Sequence, residues 1–279
     1  MAEFRCPGTF SSPENCVLSP RMQEAFTAAM IREVQLAPAP GDRFCTIAGF
    51  EAAGKEIRAG ISLATAGDMA LSRRFSHPFR ARLLADLGVP GETAFAVRQV
   101  HAKAMIVLAD QQPEETAALE ADGMVTGRSD AFLTVTVSDC LPIFLVDRAT
   151  GAFGLVHSGW KGTGIAGEAI GCMARAFGTR AADISAAIGP GIGACCYAVP
   201  EERAAGFATH FGADAVVRGP EGNPRLDLRR ANIGLLQSAG VRDISVVSDC
   251  TSCSPFLGSY RRQGPAHFTL MLAYIGRGP

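Results

Sequence analysis

The stretch Cys140-Leu141-Pro142-Ile143-Phe144-Leu145-Val146-Asp147-Arg148-Ala149-Thr150-Gly151-Ala152-Phe153-Gly154-Leu155-Val156-His157 decides the reading of the chain. Two apolar runs, Ile143 to Val146 and Ala152 to Val156, flank a polar turn signal from Asp147 to Gly151, the pattern of a β-hairpin. Centred on Ala149, the hairpin sets Cys140 opposite His157 or Ser158. Opposed side chains in an antiparallel pair have Cβ atoms roughly 4.5 to 5.5 Å apart, close enough for a sulfur and an imidazole nitrogen to share one metal ion. Pro142 donates nothing to a ladder, so it starts or bulges its strand, and a slip of one position there separates the pair.

Outward from the hairpin, apolar runs of strand length predict strands at Phe95 to Val100, Ala104 to Leu108, Phe132 to Val137, Ile184 to Ile188, Ile244 to Ser248 and Phe268 to Ile275. Helices are predicted from Gly164 to Phe177, Pro200 to Phe211 and Leu228 to Ala239, the last ended by Gly240, and from Pro78 to Leu87, closed by Gly88. Phe44 to Phe50 and Glu56 to Ser62 read as a second hairpin around Gly54-Lys55. Nearer the start, Ser19-Pro20 reads as an N-cap and first helical residue, with Met22, Phe26, Met30 and Val34 as one apolar stripe. Residues before Ser19 read as an irregular arm. Strands interspersed with helices indicate an α/β fold with helix-covered sheets, and the absence of a Pro/Ser-rich or charged linker indicates one domain.

Composition narrows the function. Of 279 residues 48% are hydrophobic and 19% charged, enough for a sizeable core. The formal net charge of -1, without a Lys/Arg cluster, argues against nucleic-acid and anionic-membrane partners and for small molecules. Nine cysteines, an odd number, with no basic start and apolar run before them, suggest reduced thiols and a cytoplasmic protein. No stretch of about 18 apolar residues is present to span a bilayer. Oligomeric state is not legible.

Six motifs occur in order: Gln99-Val100-His101, Ala121-Asp122-Gly123, Ser138-Asp139-Cys140-Leu141-Pro142, His157-Ser158-Gly159-Trp160-Lys161-Gly162, Ile188-Gly189-Pro190-Gly191-Ile192-Gly193 and Ser259-Tyr260-Arg261-Arg262. Together they resemble the landmarks of the polyphenol oxidase or laccase-domain family, also described as purine nucleoside phosphorylases. The resemblance implies a mixed β-sandwich flanked by helices, with residues 1–40 as arm and helix and 41–279 as the catalytic domain. It also implies a metal site at His101, Cys140 and His157. The implied activity is phosphorolysis of adenosine, inosine and related nucleosides, with adenosine deamination as a companion. The chain departs from the family pattern at Ala102 (usually Gly), Lys161 (Arg) and Ser158 (Ala), and between Gly67-Asp68 and Arg74, where an Asn-rich stretch is shortened. Those departures predict a different substrate pocket.

Two imidazoles and a thiolate suit zinc first and copper second, and three protein ligands leave a fourth position open, as in catalytic zinc sites. Zinc lowers the pKa of a bound water from about 15.7 to about 7, which suits deamination at purine C6. For phosphorolysis, Lys161 and the helix entry Gly162-Thr163-Gly164 offer a cation and backbone donors to phosphate; the alternative is a helix cap with a solvated lysine. Asp139 reads as a general acid/base or an orienter of a ligand imidazole, or else as an Asx turn before Pro142. Arg261 reads as a phosphate or nucleoside ligand, or as a surface ion pair. Trp160 and Tyr260 are candidate purine-stacking rings, or core aromatics. Cys250-Thr251-Ser252-Cys253 reads as half a zinc site with no second half, and Cys195-Cys196 as unpartnered, so these are expected to be structural thiols.

Three other functions remain open. A mononuclear copper polyphenol oxidase is one, although the five histidines, His77, His101, His157, His210 and His267, include no His-x-His pair for a three-copper centre. A metal-free amidase with Cys140 as nucleophile and His157 as base is another, and the family resemblance implies peptidoglycan precursors as its substrates. The third is a non-enzymatic partner protein with a structural metal.

Overall fold

The computed structural model describes residues 29–50, 57–71 and 78–277. The arm before Ser19, the Ser19-Pro20 helix start, the Gly54-Lys55 turn and part of the shortened stretch up to Arg74 lie outside them. The described strands are β1 (Met30–Val34), β2 (Phe44–Thr46), β3 (Ile57–Ser62), β4 (Ala94–Phe95), β5 (Met105–Leu108), β6 (Gly123–Thr126), β7 (Phe132–Val137), β8 (Leu141–Asp147), β9 (Phe153–Ser158), β10 (Ile184–Ile188), β11 (Val216–Arg218), β12 (Pro224–Leu226), β13 (Asp243–Val247) and β14 (Met271–Arg277). The α-helices are α1 (Pro78–Asp86), α2 (Pro113–Ala118), α3 (Ile165–Phe177), α4 (Glu201–Phe211), α5 (Leu228–Ser238) and α6 (Tyr260–Gln263).

A seven-stranded sheet in the order β1-β13-β10-β8-β9-β6-β5 stacks on a five-stranded sheet in the order β2-β3-β14-β7-β4. Both sheets are mixed: β1, β10 and β13 run parallel, as do β5 with β6 and β4 with β7, while the remaining neighbours are antiparallel. This is the expected mixed sandwich in one domain. Side-chain alternation assembles its layers. On β8, Leu141, Ile143 and Leu145 face a cluster with Ile165, Ala169 and Met173 of α3 and Leu236 of α5. Phe144 and Val146 point the other way, onto Leu133, Val135, Met271 and Ile275 of the second sheet. Leu83 and Leu84 of α1 then cover the outer face of that sheet around Leu272 and Tyr274. Each sheet thus buries apolar side chains on both faces, as covered sheets do.

Two sequence expectations are corrected. Met30 and Val34, assigned to a helical stripe, belong to β1, paired in parallel with β13; the ladder of a neighbouring strand overrides a spacing-of-four pattern that a strand also tolerates. The hairpin register is displaced by one. Asp147 accepts hydrogen bonds from Ala149 N–H (2.8 Å) and Thr150 Oγ (2.6 Å), and Gly151 adopts φ 75°. The loop is therefore four residues, centred between Ala149 and Thr150, and His157 stands opposite Pro142 rather than Cys140. Cys140 lies just before β8, two positions from Pro142, so it emerges on the same side as His157 as a diagonal neighbour. The pair survives because Cys140 and Pro142, two positions apart, share one face of the strand.

Candidate functional site

The ligand atoms of His101, Cys140 and His157 lie within 4.8 Å of one another. The two imidazole rings meet edge to face, 4.8 Å between centroids at 88°. His157 is buried at the end of β9, Cys140 is half-buried before β8, and His101 is exposed on the loop following Gln99. Two residues here hold left-handed backbone without being glycine, His101 at φ 58° and Asp139 at φ 78°. Such conformations cost of order 1–3 kcal/mol each and persist where surrounding bonds impose them.

Those bonds are present. Buried Asp122 accepts from the N–H groups of His101 (2.9 Å) and Ala102 (2.7 Å) and lies 2.9 Å from Nδ1 of His157. One carboxylate thus shapes the His101 loop and turns Nε2 of His157 toward the thiol. Gln99 fixes the approach to that loop: its amide accepts from Thr136 N–H (2.8 Å) and donates to Thr136 O (2.8 Å), standing in for a strand beyond the short β4. Asp139 accepts from Thr251 Oγ (2.6 Å), Ser259 Oγ (2.7 Å) and the N–H of Arg261 (2.7 Å). Two stretches of the β13–β14 connection, at Thr251 and at the start of α6, therefore converge on the residue before Cys140. Gly159 completes the mould, since a Cβ there would stand 2.7 Å from the Cys140 sulfur.

The electrostatics follow from burial and proximity. Burial pushes the Cys140 thiol up, but hydrogen bonds and charge from His101 and His157 outweigh it and bring it down to about 7. Burial pushes His157 down, and its bonds to Asp122 and Cys140 carry it up to about 9. At Asp122 burial opposes the charge, while His157 and the backbone donors of Ala102 and His101 hold the carboxyl below its usual range. The two shifts run in opposite directions and favour a thiolate beside an imidazolium.

These residues floor a cavity of about 680 Å³. Trp160, Tyr197, Tyr260 and Phe268 supply aromatic wall, and Arg203 and Arg261 supply guanidinium groups. Asp139, Tyr260 and Arg261, singled out from sequence, therefore line the same cavity as His101, Cys140 and His157. The Arg261 side chain donates to Cys196 O (3.0 Å) and Ala198 O (3.2 Å) and stacks over Tyr197. Lys161 does not join them. It is exposed and lines an adjoining cavity with Lys103 and His210, on the far side of Trp160. Arg203 lines both cavities, its guanidinium 4.5 Å from the Trp160 ring centroid. Sequence reading assigned no role to Asp122 or Arg203; the Ala121-Asp122-Gly123 motif marked the first, and nothing local marked the second.

The structure also revises the reading of four other cysteines. Cys195 and Cys196 are the partners that Cys250 and Cys253 lacked, and the four sulfurs lie within 4.8 Å of one another. Among the described residues these are the two groups whose donors could share an ion. No helix of the described residues is long and apolar enough to cross a membrane.

A mixed α/β sandwich whose central hairpin and neighbouring loop present a His-Cys-His donor set to a deep pocket defines a class of laccase-like proteins. The chain belongs to the family described as multi-copper polyphenol oxidoreductase laccase, whose model matches residues 77–277. Among curated relatives, a purine nucleoside phosphorylase of Deinococcus radiodurans is 37% identical over 185 residues, covering 66% of this chain and 70% of that one. Purine nucleoside phosphorylase YlmD of Geobacillus stearothermophilus is 34% identical over 211 residues, 71% of this chain and 77% of its own. A mouse purine nucleoside phosphorylase is 32% identical over 183 residues, and the match spans 41% of its length. The crystal structure of YlmD superposes with a TM-score of 0.77 at 28% identity, over 88% of this chain and all of that one.

Proposed function

We propose that the protein is a metal-dependent purine nucleoside phosphorylase, cleaving adenosine, inosine and related nucleosides with phosphate, with adenosine deamination as a companion reaction. The observation that carries this reading is the convergence of His101, Cys140 and His157 on the floor of an aromatic, guanidinium-flanked cavity of about 680 Å³. The names of the relatives agree with it. The donor set fits an ion: two imidazoles and a thiolate, one imidazole backed by a carboxylate as metal-binding histidines usually are. His101, Cys140 and His157 would hold it, zinc in preference to copper, and the bound ion would supply a Lewis acid.

The chain's own groups account for the rest. Trp160, Tyr260 and Phe268 offer ring faces and edges to a purine. Arg203 and Arg261 bind and orient the phosphate against the ribose C1′, where a phosphate oxygen bonds as the C1′–N9 bond breaks and its electrons pass to the base. Asp139, with both carboxylate oxygens engaged, positions Cys140 rather than moving protons. Lys161, in the adjoining cavity, assists phosphate entry. We place the protein in the cytoplasm, where exposed thiols such as Cys195 and Cys253 stay reduced.

The same geometry favours one competing reading. Cys140, His157 and Asp122 form a nucleophile, base and orienter array with a depressed thiol, which suits an amidase. The deciding assay is base release from adenosine and inosine with and without phosphate, before and after chelation. The phosphorylase reading expects phosphate-dependent hypoxanthine or adenine, lost with chelator, restored by zinc and reduced more than ~100-fold in Cys140→Ala. Chelator-resistant cleavage of amide substrates, abolished by thiol alkylation and with no base release, would instead establish the amidase.

A further inference from the structure

The four-cysteine cluster stands apart from the pocket floor, and its placement follows from topology. Strands β10 and β13 are parallel neighbours, so the loops leaving their carboxyl ends run side by side. The first loop carries Cys195 and Cys196, the second Cys250 and Cys253. They are tied by a bridge between Gly191 and Cys250 and by Thr251 N–H donating to Gly191 O (3.1 Å). Cys253 Sγ lies 3.4 Å from Cys196 Sγ and 3.7 Å from Cys195 Sγ, and all four sulfurs fall within 4.8 Å of one another.

Those separations discriminate between chemistries. A disulfide needs sulfurs about 2.05 Å apart and pairs cysteines two by two, whereas here three sulfurs crowd around a common centre with the fourth. A tetrahedral ion with metal–sulfur bonds of about 2.3 Å sets its sulfurs about 3.8 Å apart, which matches. The Cys250-x-x-Cys253 spacing is that of half a zinc site. Gly193 clears the approach, because a Cβ there would stand 3.1 Å from Cys195 Sγ and 3.3 Å from Cys250 Cβ, and its N–H donates to Cys250 Sγ at 3.2 Å.

Charge is provided for as well. Four thiolates around a divalent cation leave a surplus of two negative charges. Arg225 donates to Cys195 O, Arg261 to Cys196 O, Arg262 to Thr251 O and Ser254 O, and Arg229 to Gly191 O and Asp249 O. Four guanidinium groups thus brace the two loops around the sulfurs.

We infer that Cys195, Cys196, Cys250 and Cys253 form a second metal site, a closed tetrathiolate for one zinc-class divalent cation. Its role is to clamp the pocket wall. Ile192, on the first loop, donates its N–H to Asp139 O (2.8 Å), and Thr251, on the second, donates Oγ to the Asp139 carboxylate. With four protein ligands no position is left for substrate, so the site is structural where the three-donor centre is open.

The test is metal stoichiometry and cobalt spectroscopy on the full chain, stripped and reloaded with Co²⁺ alone. Wild type should bind two ions, and Cys140→Ala and Cys253→Ser one each. The intense sulfur-to-cobalt absorption of an all-thiolate centre should persist in Cys140→Ala and vanish in Cys253→Ser. A single ion in wild type, retained by Cys253→Ser and lost in Cys140→Ala, would overturn the proposal. Should Cys253→Ser fail to fold, alkylation of native wild type mapped by mass spectrometry decides. Zinc should slow labelling of Cys195 and Cys253 at least tenfold; equal rates with and without zinc, or a Cys196–Cys253 disulfide in protein purified under reductant, sink it.

Discussion

The hairpin β8–β9 and the loop from Gln99 to Ala102 both bring donors to the pocket floor, by opposite means. Six residue pairs of ladder fix His157, and packing on both faces of the sheet fixes the ladder. His101 sits in left-handed backbone on an exposed loop and owes its position to Asp122 and, through Gln99, to the edge of β7. One donor is carried by the core and the other by a few hydrogen bonds around a single carboxylate. A metal held by these donors, as proposed above, would gain from this division, since the core donor anchors the site and the loop donor can adjust to what binds.

Asp122 joins the two regions, so Asp122→Asn should have the largest effect. A neutral amide no longer balances His157 and serves the loop N–H groups less well, and zinc affinity should fall roughly 10–100-fold. Competition with a chromophoric chelator measures it; unchanged affinity would mean that the loop holds itself. Next, His157→Ala should cost roughly 2–3 kcal/mol of metal-free stability, because buried Asp122 loses its imidazole partner. His101→Ala, on an exposed loop, should stay within about 1 kcal/mol. Equal losses in denaturant unfolding would erase the distinction.

The third expectation concerns charge. Cys140 is depressed from 9.0 to about 7, so iodoacetamide labelling of the metal-free protein should have its midpoint near pH 7. Because this acid is depressed on folding, the stability it contributes is present above pH 9.0 and lost as pH falls through about 7. His157→Ala should move the labelling midpoint upward. A wild-type midpoint at the ordinary thiol value would show that the imidazoles do not reach the sulfur.

What could be read from sequence was what local chemistry writes locally. The Asp147 to Gly151 turn, the two apolar runs and the strand at Phe132 to Val137 were legible, as were helices closed by Gly88 and Gly240. The one-place register change was not, because the turn length depends on Asp147 bonding to Ala149 and Thr150. Met30 to Val34 read as helix since an edge strand leaves Met30 and Ile31 exposed and so blurs the alternation of a buried one. The cysteine cluster escaped because its halves are joined by strand adjacency, with no spacing to announce it. Asp122 reaches its backbone donors some twenty residues away, so the Ala121-Asp122-Gly123 motif marked the residue while its service to main-chain amides was written only in the fold.

Gly159 has a consequence beyond the pocket's shape. Every amino-acid replacement at this position adds a Cβ, and a Cβ at 159 would stand 2.7 Å from the Cys140 sulfur. Relief of that contact shifts the thiol from its place beside the two imidazoles. Position 159 therefore has no neutral mutational neighbour while the thiol is needed, and a saturation library selected for function should return glycine there, whatever it returns at the exposed Lys161 two residues on.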